Sequence, residues 1–147
     1  MQSVVYHAGL ARRVQSGERA RLRKGSELIT AYLYRSCSSC RNAENLLKAE
    51  GANFEIREYF KQRFTVAELK QLLKTTGLTV SDILSVRSTP YKEMNLATKN
   101  LSDDEMLQLM TEEPRLIRRP LLVSGKDAVI GYNQSAIREL INRGNAS

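Results

Sequence analysis

Two cysteines three residues apart, Cys37 and Cys40, stand where a strand-forming run gives way to a helix-forming one. This junction constrains the fold most, because the pair is useful only if a strand delivers it to a helix start. Upstream, residues 28–34 (LITAYLY) are apolar and aromatic, the composition of a buried strand. Downstream, residues 41–50 carry Ala43, Leu46 and Leu47 at helical spacing, with Gly51 placed as a C-cap. Residues 54–60 (FEIREYF) then alternate apolar with charged, the pattern of a half-buried strand. Strand, helix and strand in succession predict a βαβ unit with a right-handed crossover.

The middle of the chain reads as helical. Thr65 and Glu68 form a capping-box pattern that opens a helix with Val66, Leu69, Leu72 and Leu73 on one face, stopped by Gly77. A shorter helix is expected over residues 81–86. Ser102 and Glu105 make a second capping box, leading Met106, Leu107, Leu109 and Met110 as core filler, and Pro114 ends that helix. Residues 120–124 (PLLVS) and 128–132 (AVIGY) flank Gly125-Lys126-Asp127, a hairpin connection. Asn133 then caps a last helix with Ala136, Ile137, Leu140 and Ile141 inward. The order β-α-β, helices, β-β-α is the thioredoxin-like α/β arrangement with a helical insertion between its halves.

Composition narrows the function classes. The 147 residues fit one domain, and 41% apolar with 27% charged residues is a globular composition. No uncharged apolar run approaches the ~20 residues that span a bilayer, so no membrane partner is expected. Two cysteines and one histidine, His7, cannot build a disulfide scaffold or complete a four-ligand zinc site. Of the net charge of +7, residues 1–27 supply +4, from Arg12, Arg13, Arg19, Arg21, Arg23 and Lys24 against Glu18 and Glu27. The charge therefore belongs mostly to a basic N-terminal extension over 1–27, read as solvated, ahead of a domain over 28–142 and a short tail over 143–147. No aromatic residue is interleaved with those arginines for base stacking, so direct sequence-specific nucleic-acid binding is not expected. A pair of close cysteines suits a cytoplasmic home, where thiols stay reduced.

The pair could be two structural thiols, half a zinc site, or a redox dithiol. Zinc lacks its other ligands, and structural thiols would more naturally occupy the periodic core positions than a strand-to-helix junction. The redox reading also has a physical basis. At a helix start, unpaired N–H groups and the positive end of the dipole stabilise a thiolate at Cys37, and the adjacent Arg41 would add to that. Cys40, one turn on, faces the same side and can attack a mixed disulfide on Cys37. Cys37 is thus the expected attacking thiol and Cys40 the resolving one.

Residues 34–43 (YRSCSSCRNA), Arg87-Ser88, residues 116–123 (LIRRPLLV) and Gly131-Tyr132-Asn133 resemble the arsenate reductase (ArsC)/Spx family, over about residues 28–142. The resemblance implies an active or sensing cysteine at Cys37 and a cis-proline at Pro120 facing the cysteines. It also implies that Arg119 and Arg87 line an anion pocket, since guanidinium forks bind oxyanions and favour a thiolate.

The family has two branches. The enzyme branch reduces arsenate with one cysteine, three arginines, and glutathione and glutaredoxin as external reductants. The Spx-like branch carries a Cys-x-x-Cys switch and regulates transcription through the α subunit of RNA polymerase, without reading DNA itself. This sequence resembles the second branch in Cys40, Arg87-Ser88, Arg118-Arg119-Pro120 and Gly131-Tyr132-Asn133. Ser85 and Tyr132 stand where two of the enzyme's three arginines belong. Thr79 stands where the regulators have a polymerase-contacting glycine, with Gly77 two residues away. The implied function is a redox-responsive regulator working through RNA polymerase contacts. The alternative is a thiol oxidoreductase of arsenate-reductase or glutaredoxin-linked type. Neither needs a metal or an organic cofactor, and a monomer is expected.

Overall fold

The backbone over residues 5–7, 10–12 and 28–145, and the side chains over 28–143, are described by a computed structural model. Its strands are β1 (Val5–His7), β2 (Leu10–Arg12), β3 (Ile29–Leu33), β4 (Phe54–Glu58), β5 (Leu121–Ser124) and β6 (Asp127–Ile130). The helices are α1 (Ser38–Ala49), α2 (Val66–Thr76), α3 (Val80–Ile83), α4 (Thr89–Glu93), α5 (Asp103–Glu112) and α6 (Gln134–Asn145). The strands lie in the order β2-β1-β6-β5-β3-β4. β3 and β4 are parallel across α1, while β5 runs antiparallel to both β3 and β6. This is the expected α/β thioredoxin-like order, with α2 to α5 inserted between β4 and β5.

Alternation along the strands builds two separate cores, because successive side chains leave a strand on opposite faces. Ile29, Ala31, Leu33, Leu122 and Val129 pack against Ala43, Leu46 and Leu47 of α1 and Ala136, Ile137, Leu140 and Ile141 of α6. Leu121, Ala128 and Ile130 face the other way, onto Leu69 and Leu72 of α2 and Leu107 and Met110 of α5. The inward faces expected for α2, α5 and α6 are therefore the ones buried.

The helix ends follow the sequence signals. Capping boxes close at Thr65 with Glu68 and at Ser102 with Glu105, and the Ala136 N–H donates to Asn133 Oδ1 at 2.9 Å. Gly77 ends α2 at a positive φ of 78°, a conformation that other residues adopt only at a cost.

Four boundaries differ from expectation. α1 starts at Ser38 rather than residue 41, so both cysteines belong to its first turn and cap. β4 ends at Glu58, because the Lys61 and Gln62 N–H groups fold back onto the Glu58 carbonyl; Tyr59 and Phe60 leave the sheet. The helix expected over 81–86 is a single turn, α3, held by its own Thr79–Asp82 capping box. A further short helix, α4, begins at the Ser88 cap with Pro90 in its first turn.

At the termini, α6 continues through Asn145 into the span read as a tail. In the basic extension, β1 pairs parallel with β6 and antiparallel with β2, so that part of the backbone lies along the sheet edge. The remainder of residues 1–27, with the arginines beyond Arg12, lies outside the described residues.

Candidate functional site

The site is assembled where β3 ends. Leu33 completes the strand, the chain turns through Tyr34 to Ser36, and Cys37 becomes the N-cap of α1 with extended backbone (φ −85°, ψ 128°). No helix N–H donates to its side chain in full hydrogen-bond geometry, though the Cys40 N–H lies near enough to act on the sulfur, and the first turn contains no acidic residue. The sulfur is therefore left to its surroundings at the positive end of a twelve-residue helix. Both cysteines are free thiols, Cys37 half-buried and Cys40 buried in the core shared by α1 and α6. Cys40 thus does occupy a periodic core position, while Cys37 does not.

These placements drive the two thiols apart. Partial burial of Cys37 pushes its pKa up. That is outweighed by the Cys40 backbone N–H, the Cys40 thiol, the Ser39 hydroxyl and the Arg119 guanidinium, so the thiol falls from 9.0 to about 7. Cys40 is pushed up to about 12, chiefly by burial, with the negative charge of Cys37 adding to it against a Tyr34 backbone N–H that donates to its sulfur at 3.5 Å. Near neutral pH Cys37 is the thiol that ionises, while Cys40 keeps its proton and donates it to Cys37.

A cavity of about 300 Å³ opens beside Cys37, lined by Cys37, Ser39, Ser85, Arg87, Ser88, Arg118 and Arg119. Its far wall comes from the insertion. Leu84 bridges Ile117, the Ser85 N–H donates to the Leu116 carbonyl at 2.7 Å, and the Arg118 N–H donates to the Ile83 carbonyl at 2.7 Å. These bonds tie the 83–88 segment to the strand entry that carries Arg118 and Arg119. The Arg119–Pro120 peptide is cis, as the resemblance implied.

The structure brings Cys37, Arg87 and Arg119 to this cavity, while Cys40 lies behind Cys37 in the α1 and α6 core. It does not bring Arg41 there. The Arg41 guanidinium reaches back to the Arg35 and Ser36 carbonyls at 3.3 and 3.4 Å, holding the loop before Cys37 rather than facing its sulfur. Being next in sequence to Cys40 placed it on the outer side of the first turn. Arg118, by contrast, lines the cavity, and its guanidinium also donates to the Asp82 carbonyl at 3.4 Å. Of Arg118 and Arg119, the resemblance implies a pocket role for Arg119 alone, because nothing local in the sequence marks Arg118 as a second lining arginine. Ser85 does lie in the cavity where the enzyme branch would have an arginine, whereas Tyr132 packs against the α1 and α6 core. Three arginines, from positions 87, 118 and 119, thus line the cavity that Cys37 opens onto, and of these Arg119 acts on its sulfur.

Comparison with known proteins places the chain. Residues 32–140 match the ArsC family. The regulatory protein MgsR of Bacillus subtilis is 40% identical over 112 residues, 76% of this chain and 89% of that protein. The global transcriptional regulator Spx of Staphylococcus aureus is 31% identical over 116 residues, 79% of this chain and 88% of that protein. Among solved structures, an arsenate reductase from Vibrio cholerae superposes with a TM-score of 0.71 at 31% identity, covering 78% of this chain and 98% of that one. With the family matched across both halves of the fold and through the cysteine motif, this chain belongs to the ArsC family.

Proposed function

We propose that this protein is a redox-responsive transcriptional regulator in which Cys37 and Cys40 form the switch, acting through contacts with RNA polymerase. The observation that carries the reading is the division of labour within one helical turn: a half-buried thiol near pKa 7 beside a buried thiol near 12. With a peroxide as oxidant, the Cys37 thiolate attacks one oxygen and the O–O bond breaks. Hydroxide leaves and is protonated to water, and Cys37 becomes a sulfenic acid. The Cys40 sulfur then attacks the Cys37 sulfur, the S–O bond breaks, and the Cys40 proton leaves with the hydroxyl as a second water. The pair has lost two electrons and the cavity has lost its thiolate. Arg119 then faces an uncharged disulfide, a local charge change of the kind a regulator transmits.

Kinship to proteins named as transcriptional regulators supports this reading, and so does the second cysteine. The partner is proposed to be the α subunit of RNA polymerase. Thr79 bears on this directly, because it is the N-cap of α3, its hydroxyl accepting from the Asp82 N–H. A glycine there would forgo that bond, so polymerase contact would use a surface shaped by a capped turn. The test is capture of the purified α subunit by reduced protein, by diamide-oxidised protein, and by Cys40→Ser. Binding that changes with oxidation in the wild type and not in Cys40→Ser is expected. Identical binding, or none, in all states would overturn the proposal.

A second reading is kept for one observation, the cavity in which three arginines stand beside the Cys37 thiol. An oxyanion held there would be reduced by Cys37, with Cys40 resolving the product internally and glutathione or glutaredoxin restoring the dithiol. Turnover of arsenate with glutathione and glutaredoxin would favour this reading.

A further inference from the structure

Among the described residues, Arg119 is held by something other than a carboxylate. No described acidic side chain pairs with it, and its Nε is buried without a hydrogen-bond partner. A half-buried guanidinium with a free N–H should swing toward solvent unless its surroundings confine it.

Three aromatic residues do so. Tyr34 and Phe60 are stacked, with ring centroids 4.1 Å apart and planes 10° from parallel. The guanidinium carbon of Arg119 lies 5.9 Å from the Tyr34 centroid and 5.7 Å from that of Phe60. Being almost equidistant from two parallel rings, it rests beside the shared flank of the stack and over neither face, so the rings confine it by packing rather than by cation–π attraction. Tyr59, fully buried, meets Phe60 edge-on at 5.1 Å and donates its hydroxyl to the Ile117 carbonyl at 3.2 Å. Its phenol lies close enough to the Arg119 guanidinium for the two to influence each other electrostatically.

Resting on the reading of Cys37 as the reactive thiol, we propose that Tyr34, Tyr59 and Phe60 form an uncharged aromatic seat that holds Arg119 toward Cys37. Tyr34 and Phe60 are then positioning residues for the thiolate. An aspartate or glutamate could hold the arginine as firmly, but its charge would offset the guanidinium and repel the thiolate. An aromatic seat fixes position and leaves the whole positive charge to act on Cys37. The turn that the Lys61 and Gln62 N–H groups make onto the Glu58 carbonyl takes Tyr59 and Phe60 out of the sheet and lets Phe60 reach Arg119.

The test is the pH profile of Cys37 alkylation by iodoacetamide, read by mass spectrometry in the full-length reduced protein, with a thermal melt of every variant. Phe60→Leu keeps apolar volume and removes the ring; Tyr34→Leu does the same from the other side of the stack, and both positions are only partly buried. Each should slow alkylation at pH 7 by about two- to fivefold and move the profile upward, because the thiolate alone reacts. Phe60→Tyr should restore the wild-type profile. In an Arg119→Met background, Phe60→Leu should have no further effect, since the seat acts only through the arginine. An unchanged profile in folded Phe60→Leu and Tyr34→Leu would overturn the proposal. So would an equal shift with Arg119 already absent. If wild-type Cys37 itself titrated near 9, the reactive-thiol reading would fail, which is a distinguishable result.

Discussion

One turn of α1 carries two thiols that differ by about five orders of magnitude in acidity, from about 7 at Cys37 to about 12 at Cys40. Residue type and helix are the same, so the difference lies in what each sulfur faces. Cys37 faces a polar cavity with Arg119 and the free end of the helix, whereas Cys40 faces Leu33, Ala43 and the α6 side chains across an apolar core. The helix N-terminus alone does not explain Cys37, because Cys40 shares that first turn. What separates the sulfurs is burial, far heavier at Cys40, and the donors that converge on Cys37: the Cys40 backbone N–H and thiol, the Ser39 hydroxyl and the Arg119 guanidinium, whose charge also reaches Cys40 but does not offset its burial.

The largest effects should come from the cysteines themselves. Cys37→Ser should abolish intramolecular disulfide formation and leave a thiol that resists iodoacetamide at pH 7. Cys40→Ser should also abolish the disulfide yet keep a reactive Cys37, which then accumulates as sulfenic acid or mixed disulfide; intact-mass measurement after peroxide distinguishes the two. If both variants reacted alike, the division of roles would collapse.

Arg119→Met comes next. If it moves the Cys37 midpoint to near 8, the thiolate fraction at pH 7 falls about fivefold, and alkylation with it. The same change at Arg41 should leave the profile in place, because Arg41 holds the Arg35 and Ser36 carbonyls and not the sulfur.

The two thiols should also leave opposite marks on stability against pH in the reduced protein. Cys37 has its pKa lowered by folding, so between about 7 and 9 the unfolded chain binds more protons and stability rises with pH. Cys40 has its pKa raised by folding, so its contribution is complete below 9 and is lost as pH climbs from 9 toward 12. Chemical denaturation across pH 6–10 should therefore show a maximum near 9, absent in the oxidised protein. A flat curve for the reduced form would contradict the assigned environments.

The smallest effect is a control on the comparison. Thr65→Ala removes the cap of α2 and should cost about 1 kcal/mol of stability. It should not alter the Cys37 profile, since α2 packs on the other face of the sheet.

What the sequence disclosed about this site was what is local. Periodicity, capping boxes and turn residues set out the order of strands and helices, and the cysteine spacing set out the dithiol. What is contributed from afar was harder to see. Arg118 lines the cavity because Arg118 N–H is pinned to the Ile83 carbonyl, 35 residues away. Tyr59 and Phe60 have the aromatic composition of a strand and read as the end of β4, although Arg57-Glu58 already breaks the alternation, and a turn at Glu58 redirects them toward Arg119. Arg41 shows the reverse error, adjacent in sequence and turned away in space.

The most direct test of the account is a pH titration of reduced protein labelled with 13C at both cysteine Cβ positions, followed by NMR from pH 5 to 10. The Cys37 signal should shift with a midpoint near 7, while the Cys40 signal should show no thiol ionisation of its own below pH 10. Two midpoints together near 9, or Cys40 ionising first, would contradict it.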